Sequence, residues 1–432
     1  MKKITKKKQN KTDKKIKILT LGDSPLLPSG VGIQSKYIFQ ALLESGKYQI
    51  YSLAGAREHK DYNPVKTEEF GDDWIIHPVK EYGNAAIMRG LLAGFKPDVI
   101  WFMTDPRFYE WLWDIEDEIR ANVPMVYYHV WDNFPVPVFN KGYYESTDVI
   151  HSISKVTRDV VNEIMGEEYD HKHVPHCIDQ EVFRKYPAAD VEKFQEEFIT
   201  SKLGDPDRLV YFWNNRNGRR KQPGSLIFWF KEYLDKVGHD KATLIMHTEP
   251  KDQYGQDLYK IVDHLGLSNG QVVFSTNKYE SRVLALIYNA VDCTINISDA
   301  EGFGLSVSES LNCGTPVIVN LTGGMTEQVF DGEEYCGIGI EPSSKAVIGS
   351  QICPWIYEDR ISKEDFVDAL LKFHNMSPEE RQELGERGIR HMDKNFNFKE
   401  FKKFWPKEMQ RIHNKYGSWP NKKYKSWELR EV

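Results

Sequence analysis

Residues 293–320, CTINISDAEGFGLSVSESLNCGTPVIVN, contain the stretch that decides the fold: a strand, a glycine turn, a helix and a second strand. Cys293–Ile297 is a short run rich in β-branched residues, which predicts a buried strand. Leu305–Asn312 predicts a helix that Gly314 ends, and Pro316 begins the next strand. This order is typical of the parallel sheet of an α/β protein.

The same alternation of short apolar runs and longer helical patterns continues along the chain in both directions. In the first half the predicted strands are Ile16–Leu21, Tyr48–Leu53, Asp98–Met103, Pro124–Val130 and Asp148–Ile153. In the second half they are Leu209–Trp213, Ala242–His247, Gln271–Ser275, Cys293–Ile297 and Pro316–Asn320. We therefore predict two Rossmann-like domains with doubly wound parallel sheets. Because such sheets bind ligands at the carboxyl ends of their strands, we expect the site in a cleft between the domains.

A charged segment without strand periodicity separates the two halves, and it predicts an interdomain boundary near residues 178–205. The predicted division has four parts: a basic tail at 1–15, an N-terminal domain at 16–185, a C-terminal domain at 186–395, and a helix and tail at 396–432 that cross back to the first domain.

Composition narrows the class of protein. The 432 residues are 40% hydrophobic and carry a net charge of −7, as expected for a packed globular chain. The five cysteines are scattered and no histidine cluster has metal spacing, so we predict a cytoplasmic protein without a disulfide framework or a metal site. No apolar run approaches the roughly 18 residues of a membrane span. The lysine-rich N-terminus is either a solvated tail or a contact for phosphate or anionic lipid.

The glycine turn before the helix is a candidate phosphate site. Gly302 and Gly304 allow close backbone approach, and the first N–H groups of a helix bind anions. Glu301 and Glu309 could each accept hydrogen bonds from two sugar hydroxyls. The alternative interpretation of Glu301 is an acid favoured by the helix dipole, and that of Glu309 is a solvated helix face.

Positive charge for a diphosphate appears after the strand Leu209–Trp213, in the loop NNRNGRRKQPG. Arg216 and Lys221 could clamp two phosphates, while Arg219 and Arg220 are expected to point outward. An ordinary basic surface loop is the alternative.

The first half has its own glycine turn, SGVG, with Gly30 and Gly32. It lacks the third glycine of a dinucleotide fingerprint, since Ser35 occupies that position. A phosphate or acceptor contact at the helix N-terminus remains the prediction.

Together these segments resemble the retaining glycosyltransferases of the GT-B architecture, the large group 1 (glycosyltransferase family 4-like) class. The resemblance spans roughly residues 16–400 and rests on the glutamate pair with seven residues between, GTPVI, the GG turn at Gly323 and Gly324, NNRNGRRK, VPHCIDQEVF and YYHVWDN. It implies that Glu301 and the backbone of Gly302, Phe303, Gly304 and Leu305 hold the donor sugar and phosphate, and that Glu309 holds the ribose. It also implies that Arg216 and Lys221 neutralise the leaving diphosphate and that His129 lies near the sugar and acceptor. Gly30 and Gly32 correspond to the family's first glycine turn.

The resemblance implies a retaining transferase that moves a sugar from a nucleoside-diphosphate sugar, most readily a UDP-sugar, to an acceptor hydroxyl on a glycan or glycolipid. The only D-x-D of the chain, Asp205-Pro206-Asp207, precedes a strand and predicts a turn, so we expect metal-independent catalysis without a cofactor. Two alternatives stay open: a viral-type DNA glycosyltransferase acting on modified bases, and a sugar-nucleotide epimerase or nucleotide-sugar binding protein.

Aromatic residues suggest where partners would bind. The first-domain segments 106–118 and 131–144 suit stacking on sugar rings or bases. In the C-terminal tail, Trp405, Trp419 and Trp427 are predicted to be core or interface anchors, with nucleic acid or peripheral membrane contact as the alternative.

Overall fold

The computed structural model describes residues 14–200 and 208–425. Its strands are β1 (Ile16–Asp23), β2 (Tyr48–Gly55), β3 (Val65–Lys66), β4 (Trp74–Pro78), β5 (Val99–Met103), β6 (Met125–His129), β7 (Val149–Ser152), β8 (His171–His173), β9 (Leu209–Asn214), β10 (Ala242–His247), β11 (Val272–Ser275), β12 (Cys293–Asn296), β13 (Val317–Asn320), β14 (Ile338–Ile340), β15 (Ser344–Ile348) and β16 (Ile356–Arg360). Every predicted strand is present, with ends within two residues of the prediction.

The α-helices are α1 (Gly30–Glu44), α2 (Ala85–Gly94), α3 (Glu110–Trp113), α4 (Glu116–Arg120), α5 (Lys141–Glu145), α6 (Lys155–Met165), α7 (Ala188–Phe194), α8 (Pro223–Val237), α9 (Leu258–His264), α10 (Ser281–Ala290), α11 (Leu305–Asn312), α12 (Met325–Val329), α13 (Lys363–His374), α14 (Pro378–Asn395) and α15 (Phe398–Tyr416). Short 3₁₀ turns lie at Gly71–Asp73, Pro106–Tyr109, Val138–Asn140, Arg219–Lys221 and Trp419–Asn421, and a π-helical turn lies at Gln195–Thr200.

Within the described residues the strands form two large sheets and one hairpin. The first sheet has the order β3-β4-β2-β1-β5-β6-β7-β8, the second has the order β11-β10-β9-β12-β13-β14, and β15 pairs with β16. β1 runs parallel to β2 and β5, and β9 runs parallel to β10 and β12. The chain order therefore reverses between β1 and β5 and again between β9 and β12. The α/β fold with doubly wound parallel sheets is confirmed, and such reversal points are where ligands bind.

By their internal contacts, the described residues of Met1–Tyr128, Glu145–Val149 and Lys402–Val432 form one compact unit, and those of His129–Tyr144 and Ile150–Phe401 form a second. The predicted boundaries at 185/186 and 395/396 stay predictions. The basic tail at 1–13, the D-x-D at 205–207 and Trp427 lie outside the described residues.

Each unit has its own aromatic core. In the first unit Trp405 of α15 is fully buried and meets Trp101 edge to face at 6.3 Å, and the indole N–H of Trp419 donates to the Pro97 carbonyl at 2.8 Å. In the second unit Trp213 of β9 lies in the core that α8 and α13 cover. Trp405 is thus a core residue, in agreement with the prediction of a core or interface anchor.

The sequence analysis did not predict β3 and β4, of which β4 reads WIIHP, or the three-residue strands β8 and β14. β8 reads HKH and β14 reads IGI, so neither offers an alternating apolar pattern. The β15–β16 hairpin is also unpredicted. Pairing with neighbours, rather than composition, makes these segments strands.

Candidate functional site

The loops that follow β9 and β12 meet at the reversal point of the second sheet. After β9 the chain makes the 3₁₀ turn Arg219–Lys221, and left-handed Gln222 (φ 54°) leads it into α8. After β12 it passes through Asp299–Gly304 into α11. The basic loop and the glycine turn are therefore brought together by topology.

The glycine turn needs its glycines for space. A Cβ on Gly302 would lie 2.8 Å from a carboxylate oxygen of Asp132, and Gly304 has a φ of 93°. The GG turn packs directly against it: the Gly324 N–H donates to the Glu301 carbonyl at 3.0 Å, and a Cβ on Gly323 would overlap that same oxygen. The glycine turn at 302–304 and the GG turn at 323–324 thus pack against and support each other.

Phe303 and Leu305 anchor the turn to the second unit. The Phe303 ring lies edge to face against His176 at 5.3 Å and against Phe396 at 5.8 Å. Its carbonyl accepts a hydrogen bond from the buried amide of Gln328. Leu305, the first residue of α11, packs against the buried cluster that contains Tyr288 and Phe212. Since Gly304 has no side chain to cap α11, its position leaves room for a ligand at the first N–H groups.

The centre of the site is an ion pair between Lys221 and Glu301, whose side chains are only 12% and 13% exposed. Arg220 lies beside them: its Nη1 donates to the Ala300 carbonyl and lies 3.7 Å from Glu301 Oε2 and 3.9 Å from Asp132 Oδ2. Burial, followed by the charge of Arg220, lowers the pKa of Lys221, whereas the nearby carboxylates of Asp132 and Glu301 favour its charged ammonium. Lys221 and Arg220 therefore both lie against the glycine turn.

The expectation that Arg219 and Arg220 point outward holds for Arg219, whose side chain is 63% exposed, and is wrong for Arg220. Arg220 reaches the Glu301 carboxylate, and Arg219 donates to Glu358 of β16. Both result from the 3₁₀ turn, which the spacing of residues in the sequence does not reveal.

Glu309 on α11 is buried, so the solvated-face alternative is wrong. The Tyr288 hydroxyl donates to Glu309 Oε2 at 2.7 Å and accepts from the Asn214 amide at 2.9 Å. Burial raises the pKa of Glu309 to about 7, although the Tyr288 hydrogen bond lowers it. Tyr288 and Asn214 are members of the site that the sequence analysis missed, and Asn214 could have been found as a polar residue at the end of a predicted strand.

A second buried carboxyl, that of Asp299, lies just before the turn. It accepts from the Gln222 amide at 2.5 Å, and its backbone carbonyl accepts from the Asp359 N–H at 2.7 Å. Burial raises the pKa of Asp299 to about 6. The β15–β16 hairpin is thereby tied to the turn.

Arg216 is placed apart from Lys221. Its guanidinium is 65% exposed, pairs with Asp252 at 2.8 Å and lies over the Tyr254 ring at 5.5 Å. The neighbouring Asn217 amide donates to the Gln256 carbonyl at 2.7 Å and so fixes this loop against residues 249–256. Of the predicted clamp, Lys221 contacts Glu301, whereas Arg216 contacts Asp252.

His129, at the end of β6, is fully enclosed. Its Nε2 lies 2.6 Å from the Tyr144 hydroxyl, and burial lowers its pKa to about 3. The imidazole is therefore neutral at physiological pH.

The first glycine turn lies in the first unit, at the start of α1. The Gly32 N–H donates to Ser29 Oγ at 3.1 Å, and the Ser29 hydroxyl donates to Asp23 at 2.6 Å. A Cβ on Gly32 would lie 2.7 Å from the carbonyl oxygens of Ser24 and Leu27. The helix start around Gly30 and Gly32 is thus capped by serine and adjoins a carboxylate.

The described residues contain no group of three or more His, Cys, Asp or Glu side chains arranged to hold a metal ion. In the part of the chain that is described, no helix is long and apolar enough to cross a membrane.

Comparison with known proteins finds a family match in the part of the chain that holds the glycine turn and the basic loop. Residues 196–391, which carry Lys221, Glu301 and Glu309, match the family described as glycosyl transferases group 1. This segment, somewhat less than half of the chain, resembles the group 1 glycosyl transferases. The resemblance inferred from the sequence is confirmed.

Similar proteins extend the comparison. The D-inositol 3-phosphate glycosyltransferase of Acidothermus cellulolyticus is 37% identical over 221 residues, which are 49% of this chain and 47% of that protein. The chain matches less than half of the length of the curated relatives it resembles.

Solved structures share the fold. Sucrose-phosphate synthase from Thermosynechococcus elongatus has a TM-score of 0.72 at 15% identity, covering 93% of this chain and 100% of that one. HepE of Anabaena in complex with UDP-glucose has a TM-score of 0.66 at 14% identity, covering 92% and 100%. At these identities the likeness shows the GT-B fold alone.

Proposed function

We propose that this chain is a retaining glycosyltransferase that moves a sugar from a nucleoside-diphosphate sugar, UDP-sugar first among them, to an acceptor hydroxyl of a glycan or glycolipid. One observation carries the proposal: Lys221 and Arg220 converge on Glu301 at the glycine-opened N-terminus of α11. The family match over the same residues and the UDP-glucose bound to the HepE neighbour support it.

The diphosphate would bind at the start of α11. Backbone N–H groups there point at the ligand, and two cations lie within reach of the same point. As the sugar–oxygen bond breaks, negative charge grows on the leaving diphosphate, and preorganised cations stabilise that charge most strongly in a water-poor site. Lys221 is our candidate for this role, and either Arg220 or Arg216 would be its partner.

The two glutamates would hold hydroxyl groups. Glu301 lies at the turn and would accept from the donor sugar, while Glu309 would accept from the ribose. Glu309 performs this role only as a carboxylate, so its pKa of about 7 makes nucleotide binding sensitive to pH near neutrality.

Retention requires departure and attack on the same face of the sugar. We propose that the leaving phosphate oxygen helps to deprotonate the acceptor hydroxyl, with no carboxylate nucleophile and no metal ion. His129 is neutral and enclosed against Tyr144, which favours a hydrogen-bonding role over proton transfer.

The test is a thermal shift of the purified protein with saturating UDP, GDP, ADP and CMP. A ligand at about 100 times its dissociation constant stabilises by about 2.7 kcal/mol. We expect UDP to stabilise the protein, and Lys221→Met and Glu309→Ala to lose the shift, each compared with its own unliganded form. Lys241→Met, a change at an exposed lysine, is the matched control. Stabilisation by none of the nucleotides contradicts the proposal.

Two further variants identify the phosphate-binding arginine. Arg220→Ala weakens UDP binding if the observed cluster is the clamp, whereas Arg216→Ala does so if that side chain leaves Asp252 for the ligand. Donor turnover without any acceptor would instead indicate an epimerase, and nucleotide binding without sugar cleavage would indicate a binding protein.

A further inference from the structure

The first unit has a reversal point of its own, between β1 and β5, where the loops beginning at Asp23 and Thr104 come together. Open α/β sheets bind ligands at this position. The side chains found here are Asp23, Tyr82, Asp105, Arg107 and Phe108.

The backbone around this point is strained. Ala56, Glu81 and Thr104 have φ values of 71°, 50° and 103°, and each follows a strand of this sheet. Positive φ is especially costly for the β-branched Thr104, whose carbonyl is held by the Tyr127 hydroxyl at 2.8 Å. Strain of this kind persists where surrounding structure enforces it, often at ligand sites.

An exposed aromatic pair stands on this strained base. The rings of Tyr82 and Phe108 are stacked, with centroids 5.4 Å apart and planes 4° from parallel. Phe108 is 50% exposed although it is a large apolar residue. The Tyr82 hydroxyl donates to Asp23 Oδ1 at 3.1 Å, which ties the pair to the first glycine turn through Ser29.

The charges beside the pair are mostly negative. Arg107 Nε donates to Asp105 Oδ1 at 2.7 Å and a second guanidinium nitrogen contacts the other carboxylate oxygen, so this cation is already neutralised. Two carboxylates and one guanidinium leave a local charge of −1, counting Asp23, Asp105 and Arg107. A phosphate is repelled here, whereas hydroxyl groups find acceptors.

We propose that Phe108 is the stacking surface for the acceptor and that this acceptor is a sugar ring without phosphate, with Asp23 and Asp105 accepting its hydroxyls. The flat C–H face of a sugar packs on an aromatic ring, and carboxylates accept from paired hydroxyls. Calling the bound ring the acceptor rests on the proposed transferase function. The ring could be a free glycoside or the end of a glycan or glycolipid.

The experiment measures nucleotide release from the donor in the presence of methyl glycosides of glucose, galactose and mannose, the corresponding 6-phosphates, an alkyl glucoside and a duplex containing hydroxymethylcytosine. We expect a neutral glycoside to accelerate release and the 6-phosphates not to. Stimulation by the alkyl glucoside well beyond the methyl glucoside indicates a lipid-linked source, and equal stimulation indicates a free glycoside or glycan.

Phe108→Ala should raise the KM for the neutral acceptor about three- to tenfold with unchanged nucleotide affinity. Phe108→Tyr, which keeps an aromatic ring, should leave the KM for the neutral acceptor near the wild-type value. Phe228→Ala, at a phenylalanine that is 45% exposed on α8, is the matched control and should change nothing. A preference for 6-phosphates or for the duplex overturns the inference, as does an unchanged KM in Phe108→Ala.

Failure of the proposed function is recognised separately, because no nucleotide would then bind. Saturation-transfer NMR with the methyl glycosides still tests the surface in that case. A signal that Phe108→Ala removes supports the inference, and a signal that is absent, or equal in both proteins, overturns it.

Discussion

Two glycine turns of this molecule lie where a helix begins after a parallel strand: Gly30 and Gly32 are in the first turn of α1, and Gly302 and Gly304 come just before α11. At the first, Ser29 caps the helix and the carboxylate of Asp23 stands behind it. At the second, Gly304 occupies the cap position and Arg220 and Lys221 surround the turn.

A glycine turn is therefore not in itself a phosphate site. A helix N-terminus attracts anions only if its N–H groups remain accessible and nearby charges are positive. The first turn does not favour an anion, and this argues against a nucleotide-binding role for Gly30 and Gly32. The same surroundings suit a ligand with neutral hydroxyl groups. At the second turn Gly304 leaves α11 without a side-chain cap, and Lys221 and Arg220 lie beside the carboxylates of Glu301 and Asp132.

Removal of a positive charge from the second turn should have the largest effect. Lys221→Met should lower kcat by about 10²–10³ because it removes a cation from the growing charge of the leaving group. Asp23→Asn, its counterpart at the first turn, should leave nucleotide affinity unchanged. Steady-state kinetics and UDP titration measure both, and an equal loss of UDP affinity in the two variants would erase the distinction.

The next effect compares the glycines themselves. Gly32→Ala should destabilise the fold by about 1–3 kcal/mol, because its Cβ meets two backbone carbonyls at 2.7 Å that cannot move aside. Gly302→Ala meets a side-chain oxygen of Asp132 at 2.8 Å and a backbone carbonyl, that of Val130, only at 3.2 Å, so it should cost less stability and more donor affinity. Urea unfolding compares them with Gly90→Ala in α2, where a Cβ would meet nothing within 4 Å.

A third prediction concerns pH at the second turn. UDP affinity should rise about tenfold as the pH rises through about 7, because Glu309 must lose its proton to accept two ribose hydroxyls. Glu309→Gln should abolish this dependence, as isothermal titration over a pH series would reveal. A wild-type affinity that is flat across neutral pH would remove Glu309 from the ribose site.

The same carboxyl links stability to pH. Its pKa is higher in the folded chain than the usual 4.5, so the folded state binds more protons between 4.5 and about 7. The free energy of unfolding should therefore fall as the pH rises from 4.5 to about 7, by at most about 3 kcal/mol. Glu309→Gln should flatten this decline in thermal unfolding curves.

The smallest expected effect concerns the first turn's cap. Ser29→Ala should cost about 1 kcal/mol of stability by leaving the Gly32 N–H without its cap. Nucleotide affinity should not change. Ser377→Ala, which removes the cap of α14, is the matched control, and a loss of UDP binding in Ser29→Ala alone would give the first turn a ligand role after all.

Much of the fold was readable from local pattern. Apolar β-branched runs such as Cys293–Ile297 predicted the strands, and Leu305–Asn312, followed by Gly314, predicted α11. Glycine spacing and the glutamate pair identified the segment that the family match then covered. These features act within a few residues of one another, so they need no knowledge of distant partners.

The site's charge pattern was not readable in this way. Arg216 and Lys221 are equally basic in the sequence, yet one pairs with Asp252 and the other with Glu301, and Arg220 turns inward. Glu309 is buried beneath Tyr288, a residue of another helix. Composition and short-range periodicity thus specified the strands, helices and turns, whereas burial and the choice of ionic partner arose from packing between segments up to 139 residues apart.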